Sequence, residues 1–115
     1  MIERSALAWL RDARDYALEA QAVVSAHTLE TFDANRRDQL AVRYCLTVIG
    51  EALNQIPRDV QALAPEIRWR TIYNLRNRLV HGFLLIDAPL LLGIARKDCE
   101  QLVASIDRLI EKLGS

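Results

Sequence analysis

Residues 40–57, LAVRYCLTVIGEALNQIP, place apolar side chains at Val42, Cys45, Leu46, Ile49, Leu53 and Ile56. Steps of three and four residues put these on one side of a helix. Pro57 lacks the amide hydrogen that would continue it. Leu40, Tyr44 and Val48 spill onto a second face. So wide an apolar surface is expected to be covered on two sides, by the core of the monomer and by a partner.

The same period extends in both directions. Upstream, a first helix is predicted over about 5–26, with Leu7, Leu10, Ala13, Ala17 and Val24 roughly on one side. Residues 28–35 break it, and Asp33 is a plausible N-cap for the second helix. Downstream, a one-turn helical connector is expected between Pro57 and Pro65. A third helix is expected over about 68–81, with Ile72, Leu75 and Leu79 as its core stripe. Gly82 would end it in the left-handed conformation. Asp87 would cap a fourth helix that tolerates Pro89 in its first turn. Its seam runs through Cys99, Leu102, Val103, Ile106, Leu109, Ile110 and Leu113. The prediction is an all-α, up-and-down four-helix bundle with a short extra connector helix, forming one domain over residues 1–115.

Composition agrees with a globular helical chain, with 51% hydrophobic and 26% charged residues. No apolar run reaches the roughly 18 residues of a membrane span, and the N-terminus is too charged for a signal peptide. Cys45 and Cys99 lie far apart without further ligands at metal spacing, so buried free thiols in a reducing cytoplasm are expected and no metal or cofactor is implied. Equal numbers of acidic and basic residues, 15 of each, argue against a protein that coats nucleic acid non-specifically. The average conceals a local island. Residues 67–86 contain no Asp or Glu but carry Arg68, Arg70, Arg76, Arg78 and His81. That suits a local anionic ligand better than a long polyanion.

Within the island, Tyr73, Asn77 and His81 follow one another at i, i+4 and i+8, with Arg76 beside them. Arg76 and His81 would lie ~140° apart and ~7.5 Å along the axis, so a flexible Arg must bend toward a ligand held near the imidazole. Asn77 is placed to hydrogen-bond the His81 ring and fix its tautomer. This group suits attack of a ribose 2′-OH on the adjacent phosphorus of RNA. Histidine can act as acid or base near neutral pH, and arginine can stabilise the charge that develops on phosphorus. Arg78 and Tyr73 flank the pair as candidate phosphate and RNA contacts. Acid and base are both needed, and a homodimer would bring two copies of His81 and Arg76 into one cleft. The spacing has a plain structural reading too, because His-Gly is an ordinary helix end with the His at the negative pole. Taken alone, spacing favours that reading. Glu51, inside an apolar run, reads as a solvated residue, an arginine partner or a supporting site group. His27 reads as a surface or capping residue, and Trp9 and Trp69 as packing groups.

Gly50-Glu51 on the second helix, Pro65-Glu66-Ile67 with Trp69, and Arg76-Asn77-Arg78-Leu79-Val80-His81-Gly82 together resemble the HepT-like HEPN proteins. The similarity extends from about Asp38 to the end of the chain. It implies a homodimeric HEPN bundle with the motif lining the interface cleft. It also implies a metal-independent endoribonuclease, the toxin of a pair whose antitoxin is a minimal nucleotidyltransferase. Arg76 and His81 would then be catalytic, and Asn77 and Glu51 supporting. Many members carry a tyrosine, adenylylated by the antitoxin, where this chain has Phe83. Neutralisation by modification at that position is therefore excluded, while the catalytic residues are intact. The alternative is a non-catalytic helical dimer that binds a nucleotidyltransferase partner or its nucleotide.

Overall fold

The computed structural model describes residues 4–82 and 86–114, and among these the ordered elements are helical. Helix α1 (Ala6–Val24) starts at Ser5, whose side chain accepts from the Ala8 amide at 3.1 Å. A short α2 (Leu29–Asp33) follows, then α3 (Arg36–Asn54) and a one-turn α4 (Arg58–Gln61). Helix α5 (Trp69–His81) precedes α6 (Ala88–Gly93), a π turn (Ile94–Asp98) and α7 (Cys99–Gly114), three segments contiguous in sequence.

The core is built mainly by α1, α3 and α7. Leu10, Ala13, Ala17, Ala20 and Val24 of α1 are buried at steps of three and four, and the small alanines let α3 approach closely. Val42, Cys45, Leu46, Ile49 and Leu53 face them from α3, and Cys99, Ile106 and Leu109 from α7. Burying one such Leu or Ile side chain contributes about 1.5–3 kcal/mol. Leu40 and Tyr44, on the second face of α3, are exposed, and the Tyr44 ring meets Tyr16 edge-on at 6.0 Å. Helix α5 is peripheral. It packs on α3, has at most glancing contact with α7, and buries Leu79 while Ile72 and Leu75 are half-buried.

Three local expectations need correction. Asn35, not Asp33, caps α3, its side-chain oxygen accepting from the Asp38 amide at 2.9 Å. Asp33 is instead the last residue of α2, which Thr28 and Thr31 nucleate by reciprocal side-chain-to-backbone bonds. Gly82 ends α5 at φ −134° rather than in the left-handed region, and its amide keeps a helical bond of 2.7 Å to the Arg78 carbonyl. The fourth predicted helix begins as expected, with the Asp87 side chain accepting from the Leu90 amide at 3.1 Å. Its middle is a π turn, whose i→i+5 bonding accommodates one extra residue.

Candidate active site

Helix α5 is positioned from its start by a buried Ile67 and by Trp69, whose indole N–H donates to the Ala64 carbonyl at 3.1 Å. Its central contact is with α3 at Gly50. A β-carbon there would lie 2.3 Å from Arg76 Cβ and 2.8 Å from Arg76 Cγ. Glycine costs a helix interior about 1 kcal/mol relative to alanine, so its presence is explained by this close approach. The next residue of α3 completes the seat. Glu51 receives Arg76 Nη2 at 2.9 Å. On the other side Arg76 Nη1 donates to Asn77 Oδ1 at 3.0 Å.

The guanidinium is therefore held by two acceptors from two helices, with its side chain only 27% exposed. Its Nε is buried without a hydrogen-bond partner. A guanidinium carries five N–H donors, so donors remain on the two terminal nitrogens for an incoming anion. A buried donor left unpaired costs about 1–3 kcal/mol, a cost retained here at the residue the motif singles out.

Tyr73, Arg76, Asn77, Arg78, His81 and Gly82 line one open depression of about 550 Å³ on the outer face of α5. Arg76 and His81 thus border the same space, as the chemistry requires, although the helix separates them along its axis. Tyr73 and His81 are exposed there, as is Arg78. The expected bond from Asn77 to the imidazole is not made; the Asn77 side-chain oxygen accepts from Arg76 instead. Among the described residues the His81 ring has no hydrogen-bond partner. Phe83 lies outside the described residues.

Glu51 brings a carboxylate to this acid-free stretch of α5 through its ion pair with Arg76. Sequence reasoning missed the part played by Gly50 itself; a lone glycine inside an apolar helical run was the available signal. His27 is neither a surface group nor a plain cap. Its ring bridges Thr31 Oγ1 at 2.8 Å and Asp38 Oδ2 at 2.7 Å and stacks edge-on against Phe32, away from the depression. Cys45 and Cys99 are free and buried, as expected. Among the described residues no group of three or more His, Cys, Asp or Glu side chains is placed to hold a metal ion. No helix there is long and apolar enough to cross a membrane.

Comparison with known proteins places this chain in a family. A chain of Thermococcus cleftensis named "Probable ribonuclease HepT" is 34% identical over 80 residues, covering 70% of this chain and 73% of that one. Two Methanocaldococcus jannaschii proteins named as candidate RNases are each 26% identical over 113 residues. They cover 98% of this chain and 97% and 93% of their own lengths. No solved structure matches the chain. The family model described as "Ribonuclease HepT-like" matches residues 13–109. The chain belongs to the HepT-like ribonuclease family.

Proposed function

We propose that this protein is a metal-independent endoribonuclease that cleaves RNA by attack of a 2′-OH on the adjacent phosphorus. The observation that carries the proposal is the common depression lined by Arg76 and His81, with Asn77, Arg78 and Tyr73 around it. Arg76, fixed by Glu51 and Asn77, directs its remaining N–H donors at a phosphate oxygen and stabilises charge that grows there in the transition state. His81, exposed and without a hydrogen-bond partner among the described residues, takes the 2′-OH proton or donates one to the departing 5′ oxygen. Arg78 binds a neighbouring phosphate, and Tyr73 offers a ring and a hydroxyl to the substrate.

The working unit is a homodimer of single-domain four-helix HEPN bundles whose cleft carries two copies of the Arg76–His81 pair. One copy of His81 can then serve as acid while the other serves as base. Biologically the protein acts in the cytoplasm as the toxin of a toxin–antitoxin pair. Its partner is a minimal nucleotidyltransferase that silences it by covering the cleft, since Phe83 offers no hydroxyl to modify. The names of the relatives, ribonucleases and candidate RNases, support the reaction class. Expression of this chain alone should arrest growth, and His81→Ala or Arg76→Ala should relieve the arrest without lowering the amount of folded protein. Arrest that persists in both variants would remove the enzymatic reading.

A further inference from the structure

Because α5 touches α3 but barely meets α7, a groove of about 700 Å³ runs between α5 and the α6–α7 segment. This is within the size range that holds small ligands. Its floor is aliphatic, with the half-buried Ile72 and Leu75 on one wall and Leu102 on the other. Its rim is cationic. Arg68 and Arg78 project from α5, and Lys97 projects from the π turn opposite. None of the three has an ion-pair or side-chain hydrogen-bond partner among the described residues. Two acids also line it, Asp98 beside Lys97 and Glu66, which lies 3.8 Å from Arg108.

Two observations point to the occupant. Arg78 lines both this groove and the depression at His81, so the two spaces adjoin at one residue. The π turn adds one residue where Ile94, Lys97 and Asp98 face the groove, re-aiming the side chains of that wall. Such insertions are frequent at functional sites. A strand whose scissile phosphate sits between Arg76 and His81 must continue past Arg78, and the groove there offers cations to its phosphates and an apolar floor to a base.

We propose that the groove between α5 and α6–α7 is a second subsite for single-stranded RNA. A nucleotide flanking the cleaved bond rests its base on Ile72, Leu75 and Leu102, while Arg68, Arg78 and Lys97 hold its phosphates. The proposal rests on the RNA-cleaving reading of the adjoining depression, but it predicts binding rather than chemistry. The cations read backbone and the aliphatic floor accepts any base face, so the subsite is tolerant of sequence.

The test is fluorescence anisotropy with a short fluorescein-labelled single-stranded RNA, in EDTA, on the full chain carrying His81→Ala. Adding Lys97→Glu or Arg68→Glu should each weaken binding about tenfold and lower the dependence of log affinity on log salt by about 0.7 per lost phosphate contact. Thr71→Trp, which fills the groove without changing charge, should also weaken binding. Arg11→Glu, the same charge reversal on the exposed side of α1, should change affinity by less than about twofold. Far-ultraviolet circular dichroism shows that each variant is folded. RNA affinity that ignores Lys97→Glu, Arg68→Glu and Thr71→Trp, or that falls equally with Arg11→Glu, overturns the subsite. It is equally overturned if these variants abolish binding of a partner protein while leaving RNA affinity intact. Failure of the two readings is separable. If the wild-type chain cuts no RNA yet these variants lose affinity, the nuclease reading falls and the subsite stands. If it cuts RNA and the variants bind normally, the reverse holds.

Discussion

At position 50 a β-carbon would stand 2.3 Å from Arg76 Cβ and within 3.5 Å of its Cα, so only movement of α5 could admit it. Gly50→Ala gains about 1 kcal/mol of helix propensity and incurs an overpacking cost of about 1–3 kcal/mol. We expect a net loss near 1 kcal/mol in urea denaturation, and a fall in RNA cleavage larger than that loss explains, because Arg76 leaves its seat between Glu51 and Asn77. Cleavage that merely tracks stability would show that the contact is structural alone. The cysteines give a second residue-scale prediction. Burial, with Asp98 and Cys45 adding to it, pushes the Cys99 thiol up to about 12, and burial with Glu19 raises that of Cys45. A thiol reagent at mildly alkaline pH should label both slowly in the native protein and rapidly in urea. The sign for stability follows from the raised value. Between the ordinary 9.0 and about 12 the unfolded chain loses the Cys99 proton first, so stability falls as pH rises through that window. Cys99→Ala should make the fall shallower. Both thiols were legible in the sequence from their apolar neighbours. The orientation of Asn77 was not, since spacing cannot say which of two neighbouring donors, Arg76 or His81, captures its oxygen.

Helix ends are where sequence and structure agree best and also where they part. Ser5, Pro57 and Asp87 fixed the expected boundaries because each acts through its own backbone or side chain. The error at Asp33 arose because Thr28 and Thr31 close a reciprocal cap that adds a short helix, leaving Asn35 to begin α3. Asn35→Ala removes the acceptor for the Asp38 amide and should cost about 1 kcal/mol in chemical denaturation. A smaller effect than a few tenths would mean that solvent satisfies the α3 end equally well. The π turn was hidden for a different reason. Leu92, Ala95, Cys99, Leu102 and Ile106 keep steps of three and four straight through it, so the apolar pattern is that of an unbroken helix.

Across the whole molecule, a radius of gyration of 14.2 Å, against about 13 Å expected for this length, and extents of 44 × 27 × 26 Å describe an elongated helical body. Helix α5 lies on its flank. The sequence marked α5 as chemically unusual through its missing acids. Its peripheral position explains why those groups border open space, and no periodicity could have shown it. The exposed Leu40 and Tyr44 leave α3 with apolar surface that a second copy would cover. Light scattering should therefore report a dimer, and the double variant Leu40→Asp, Tyr44→Arg should be largely monomeric with cleavage reduced; a double variant that stays dimeric would move the interface elsewhere. The proposed nuclease centre of Arg76 and His81 acts through the substrate's own 2′-OH. Its most direct test is analysis of the ends of single-stranded RNA incubated with purified wild-type and His81→Ala protein in EDTA. Wild type should leave a 2′,3′-cyclic phosphate, or the 3′-phosphate formed by its hydrolysis, and His81→Ala should leave the RNA intact. Equal cleavage by both proteins, or 3′-hydroxyl ends, would contradict it.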